Sequence, residues 1–158
     1  MQKALHPLEG DAARRSLNLD NASKLTVPKQ HLNPPSLFSS TEHGFSQVVV
    51  ASGAKTVFIS GQTAWDAKKK VVGRTLGEQT TQALRNVKAA VEAAGGNLRD
   101  IVALRIYIVH DAEQNLEPVG SALREIFTTD PPTSTWIGVS SLAVRDFLIE
   151  IEATAVLE

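Results

Sequence analysis

The chain has 158 residues, 42% of them hydrophobic and 21% charged, and its 16 basic and 17 acidic side chains leave a net charge of −1. That length buries one hydrophobic core and is short for two. The balanced charge argues against a dedicated nucleic-acid binder, which needs a basic surplus, and gives no reason to expect an anionic membrane surface as partner. There is no cysteine, so disulfides, thiolate zinc sites, iron–sulfur clusters and cysteine nucleophiles are excluded. The histidines (His6, His31, His43 and His110) lack metal-ligand spacing. No apolar run approaches the roughly 18 residues of a transmembrane helix. These features predict a cytoplasmic, single-domain protein.

Residues 1–43 contain Pro7, Pro28, Pro34 and Pro35 and show no sustained periodicity, the pattern of an extended, partly disordered leader. From Phe45 the pattern changes. Gln47–Ala51 and Thr56–Ser60, separated by Ser52-Gly53-Ala54-Lys55, read as a β-hairpin. Trp65 to Gly73 is a charged loop. Leu84, Val87, Val91 and Ala94 recur at helical spacing and predict a helix over 76–94, stopped by Gly95-Gly96. Residues 100–110 are rich in β-branched side chains and predict a strand. Leu116, Val119, Leu123 and Ile126 repeat the helical spacing and predict a helix over 112–128. Two strands follow, over 134–141 and 147–157.

The last strand alternates cleanly: Phe147, Ile149, Ile151, Ala153, Ala155 and Leu157 on one side, Leu148, Glu150, Glu152, Thr154 and Val156 on the other. The element order β-β-α-β-α-β-β predicts an α+β fold, a mixed sheet with two helices on one face. The other face then needs solvent or another subunit. Leu104, Ile106, Ile108, Leu148 and Val156, assigned to that face, favour burial in a homo-oligomer.

Common catalytic motifs are absent. No glycine-rich loop is placed to cradle phosphate, and no serine sits in a nucleophile elbow. Trp65 and Trp136 are either core aromatics or ligand platforms. What remains is Glu150 and Glu152 in an Ile-Glu-Ile-Glu-Ala run. Carboxylates among apolar residues need either a partner, for which Arg105 is available, or a cleft in which they handle water or protons.

Several segments together resemble the Rid family, also called YjgF/YER057c/UK114: Gly44-Phe45-Ser46-Gln47, Ile59-Ser60-Gly61-Gln62, Gln79 to Gly95, Pro132-Thr133-Ser134-Thr135 and Ile149-Glu150-Ile151-Glu152-Ala153. The resemblance runs from about Asn33 to Glu158. It divides the chain into a leader, 1–32, and a single domain, 33–158. It implies a chorismate-mutase-like fold and a homotrimer with clefts between subunits. It further implies cofactor-free and metal-free hydrolysis of reactive enamines or imines to a carbonyl and ammonia.

By the same resemblance, Glu150 is the catalytic glutamate that handles water or protons. Phe45, Gly61, Gln62, Ser134, Thr135 and Trp136 line the substrate cleft. The pattern is broken in places. Ser134 stands where active members carry an arginine that clamps the substrate carboxylate, Phe45 where a tyrosine is common, and Gly120 where arginine-bearing members have asparagine. A hydroxyl cannot replace a bidentate cation, so a non-standard, flatter or less charged substrate is expected. The expectation is a deaminase-type hydrolase of a small molecule. The alternatives are a non-catalytic small-molecule-binding or regulatory trimer, and a protein-interaction role using the leader.

Overall fold

The computed structural model describes residues 29–35, 39, 41–46, 48–109 and 115–158. Residues 1–28 of the expected leader, together with Gln47 and His110, lie outside the described residues. Strands β1 (Lys29–Leu32) and β2 (Val48–Ala51) form a two-stranded antiparallel sheet. The remaining strands are β3 (Lys55–Gln62), β4 (Ile101–Val109), β5 (Thr133–Val139) and β6 (Ile149–Leu157), and they make a four-stranded mixed sheet in the order β3-β6-β4-β5. β4 and β5 run parallel; β6 is antiparallel to both β3 and β4.

The predicted hairpin does not form. β2 pairs with β1, and β3 pairs with β6 nearly a hundred residues later in the chain. Sequence adjacency favours a hairpin, but the final strand's alternating Ile, Ala and Leu residues offer β3 an apolar edge, and that long-range pairing prevails. β1 lies inside the stretch read as leader. It is tied down where the Lys29 ammonium donates to the Arg99 carbonyl and where His31 Nδ1 lies 3.1 Å from the Ser46 hydroxyl and 3.0 Å from the Pro131 carbonyl. Partial burial holds the Lys29 ammonium below its ordinary pKa, against the opposing pull of Asp100.

Helix α1 (Leu76–Ala93) opens on a capping box. The Thr75 hydroxyl accepts the Glu78 N–H at 3.3 Å, and the Glu78 carboxylate accepts the Thr75 N–H at 3.0 Å. The helix ends at Gly95, whose φ of +86° is the left-handed conformation that glycine adopts freely. Helix α2 (Glu117–Ile126) begins later than the apolar spacing suggested. Leu116 is its N-cap residue, and the Asn115 side chain accepts the Glu117 N–H at 3.1 Å. Residues 111–114 lie outside the described residues. No helix among the described residues is long and apolar enough to cross a membrane.

Both helices cover one face of the sheet. Leu84, Val87 and Val91 from α1 and Val119 and Leu123 from α2 pack with Ile106, Ile108, Ile149 and Ile151 in a fully buried core. Burying each such side chain contributes about 1.5–3 kcal/mol. One sequence assignment is corrected here. Leu104, Ile106 and Ile108 do not lie on the uncovered face but are part of this core. In the antiparallel pairing they lie opposite Ala153, Ile151 and Ile149. The uncovered face instead carries Arg105 and Tyr107 from β4, Glu150, Glu152, Thr154 and Val156 from β6, and Thr56 and Phe58 from β3. Phe58 is 82% exposed.

Candidate functional site

Glu150 sits on the uncovered face near the start of β6, which lies between β3 and β4. Its cross-strand neighbour on β4 is Tyr107. On β3 the register slips between Ile59 and Gln62, and the slip brings the Gly61 backbone beneath the Glu150 side chain. A Cβ at position 61 would lie 1.8 Å from Glu150 Oε1 and 2.6 Å from its Cδ. Glycine at this position is therefore set by space: the carboxylate occupies the volume that any larger side chain would take. The sequence reading placed Glu150 and Gly61 in one cleft, and the fold brings these two together. The Gln62 side chain turns back, its amide donating to the Ser60 carbonyl at 3.0 Å.

Glu152, two residues along the same face, has the structural partner suggested from sequence. The Arg105 guanidinium donates to it at 3.1 Å, and the Tyr107 hydroxyl donates to its other oxygen at 3.2 Å. With 62% and 38% of the two side chains exposed, this ion pair contributes little to stability, at most about 1 kcal/mol. The partly buried position of Tyr107, and after it the Glu152 carboxylate it donates to, push its hydroxyl above the ordinary tyrosine pKa and keep it a donor. Sequence reasoning did not single out Tyr107. Its alternation with Arg105 along β4 is the signal that places both beside the two glutamates. Arg105, Glu152, Thr133, Thr135 and Thr154 line a shallow cavity of about 180 Å³.

Position 134 is elsewhere. In the β4–β5 register, Ser134 and Trp136 lie beside Leu104 and Ile106, on the face covered by the helices. The Trp136 indole N–H donates to the Ser134 hydroxyl at 2.8 Å, and the ring packs on the core. Beside it, Ile108, Leu116, Trp136, Ile137 and Gly138 line a cavity of about 350 Å³. Phe45 reaches the start of β5 through its neighbour Ser46, which bridges to Thr133 and whose N–H donates to the Pro132 carbonyl at 2.9 Å. Thr135 falls on the opposite, uncovered face beside Arg105. Within one chain, then, Glu150 and Gly61 lie together on the uncovered face, and Ser134 and Trp136 lie together on the β5 edge toward α2. Sequence alone assigned them to one cleft because it carries no information on which strand face each occupies. Trp65 is a structural aromatic, edge-on to Phe147 with ring centroids 4.9 Å apart. No group of three or more His, Asp or Glu side chains is gathered to hold a metal among the described residues.

A four-stranded mixed sheet with two helices on one face is the chorismate-mutase-like α+β architecture, the class of fold expected from the sequence. Residues 38–157 match the family model described as Endoribonuclease L-PSP, and the chain belongs to this family, known also as Rid and as YjgF/YER057c/UK114. A RutC family protein of Pyrococcus horikoshii is 34% identical over 115 residues, covering 72% of this chain and 87% of that protein. A Salmonella typhimurium protein named 2-iminobutanoate/2-iminopropanoate deaminase is 36% identical over 104 residues, covering 63% of this chain and 78% of that protein. Among solved structures, a Rid-family protein of unknown function from Yersinia pestis, YyfB, superposes with a TM-score of 0.78. It is 37% identical, and the match covers 82% of this chain and 98% of that one.

Proposed function

We propose that this protein is a hydrolase of enamine or imine substrates, releasing ammonia at clefts between the subunits of a homotrimer, with a substrate other than the usual amino-acid-derived imines. The observation that carries this reading is the seating of the Glu150 carboxylate over the Gly61 backbone, which holds a general base at a defined place on an uncovered sheet face. The deaminase name of the Salmonella relative supports the reaction class.

The step balances without a cofactor. Glu150 takes a proton from water as the water oxygen adds to the C=N carbon. The nitrogen gains that proton, then the proton of the new hydroxyl as the C–N bond breaks and the C=O bond forms, and a carbonyl compound and ammonia leave. An enamine enters after protonation at carbon gives the imine. Thr135 offers a hydroxyl on the uncovered face, the Ser134 hydroxyl, which accepts the Trp136 N–H, can still donate to a polar substrate group, and Phe45 and Trp136 supply flat apolar surface. Because Ser134 and Glu150 lie on opposite faces of the sheet, a cleft using both draws them from two copies of the chain. Phe58, exposed beside Thr56 and Val156, gives the uncovered face an apolar contact for such a copy.

The test is ammonia release from a panel of imines by wild type and Glu150→Gln. Loss in the variant supports the reading, and equal rates remove Glu150 from the mechanism. Ser134→Arg then asks whether only the anchor is absent: gained turnover of a 2-aminoacrylate-type imine means the scaffold is competent. A second reading, a non-catalytic small-molecule-binding trimer, is favoured by one observation, that the Ser134 hydroxyl is already engaged by Trp136. It calls for ligand-induced thermal stabilisation with no turnover.

A further inference from the structure

A cavity of about 470 Å³ opens between the loop that follows β3 and the loop that leads into β6. Its lining includes Val71, Arg74, Gln79, Arg145, Asp146 and Leu148. Gln79, 2% exposed, braces the second loop against α1: its amide donates to the Asp146 carbonyl at 2.8 Å, and its Oε1 accepts the Leu148 N–H at 2.9 Å. The wall is thus fixed from the core side, while Arg74 and Arg145 project from exposed positions. Among the described residues neither guanidinium makes a salt bridge. The nearby Glu78 carboxylate accepts from the N–H groups of Arg74 and Thr75 and from the Thr75 hydroxyl, and it also attracts the Arg74 guanidinium without forming a salt bridge with it. With Asp146 included, the lining carries a net single positive charge over an apolar floor of Val71 and Leu148.

We infer that this cavity is a carboxylate-binding site in which Arg74 and Arg145 supply the cation absent from position 134. The inference rests on the deaminase reading above and specifies its substrate. Guanidinium forks suit oxyanions through paired, charge-assisted hydrogen bonds. Leu148 stands just before β6 and two residues ahead of Glu150, a span of roughly 7 Å of extended chain at about 3.4 Å per residue. A substrate held at both points is an acid whose carboxylate lies several bonds from the C=N carbon. In 2-iminopropanoate, by contrast, the two groups are adjacent.

The test is calorimetric titration of the full chain with glutarate and, separately, with inorganic phosphate, at one fixed ionic strength. It uses wild type, Arg74→Gln, Arg145→Gln, and Lys68→Gln as a charge control outside the cavity. Both arginines are exposed, and the Arg74 backbone contact to Glu78 survives its substitution, so the variants fold. Glutarate binds wild type and the Lys68 variant alike, and each arginine variant weakens it roughly tenfold or more. Equal affinity in all four proteins, no glutarate binding by wild type, or a preference for phosphate overturns the site. Ammonia assays separate the two readings. Arginine-dependent glutarate binding without turnover sustains the site and removes the deaminase assignment. Turnover lost in Glu150→Gln but indifferent to both arginines does the reverse.

Discussion

Gly61→Ala separates the position of Glu150 from the stability of the fold. The new Cβ would stand 1.8 Å from Glu150 Oε1, against an ordinary contact of at least 3.4 Å, so the carboxylate must retreat by about 1.6 Å. The atoms displaced run from Oε1 back to Cγ, 2.8 Å from the new Cβ, so the whole Glu150 side chain must swing aside; Gly61 does not have the positive φ that would strain an alanine. The stability effect is therefore small: removing a strand glycine contributes about 0.5–1 kcal/mol in favour of alanine, which offsets most of the crowding. Catalysis behaves differently, because a misplacement of about 1 Å in a catalytic group can cost on the order of 100-fold in rate. The expected result is a melting temperature within a few degrees of wild type together with a kcat for ammonia release that approaches that of Glu150→Gln. Thermal unfolding followed by fluorescence and a coupled ammonia assay measure the two quantities on the same preparations. Wild-type turnover in a stably folded Gly61→Ala protein would refute the argument that this glycine exists to seat the carboxylate.

Two further outcomes follow from the fold. Phe58→Asp puts a charge on the uncovered face, midway along the edge strand β3. If that face is the subunit contact, sedimentation should show a shift from trimer toward monomer with the secondary structure retained; an unchanged trimer places the contact elsewhere. Thr75→Ala removes the side chain that caps α1 and should destabilise the protein by about 1 kcal/mol in denaturant titration. The pH dependence of that cap has a defined sign. The Arg74 N–H first, then the Thr75 N–H and hydroxyl, hold the Glu78 carboxyl below the ordinary glutamate pKa. Its contribution is therefore fully present above that ordinary value and lost as pH falls through the lower folded-state value. Stability curves of wild type and Glu78→Gln should converge in acid and separate above it; parallel curves across the whole range would contradict the cap.

Much of this molecule is legible without coordinates. α1 is readable because apolar residues recur at helical spacing up to a double glycine, whereas its Thr75–Glu78 cap emerged only from the structure. β6 is readable because its alternation is unbroken, and the same alternation isolates Glu150 and Glu152 as the carboxylates to explain. Local periodicity and end signals are properties of short segments, and they survive into the fold because the core rewards the same pattern. Pairing partners are different. Whether β2 joins β3 or β1, and which face of the sheet Leu104, Ile106 and Ser134 occupy, depends on registers set between strands distant in sequence. A slip of one residue reverses every side chain. The tertiary structure alone decided that Glu150 rests on Gly61, that Tyr107 and Arg105 converge on Glu152, and that Ser134 faces away from all of them. It also decided that Arg74 and Arg145, 71 positions apart and in no motif, border a single cavity.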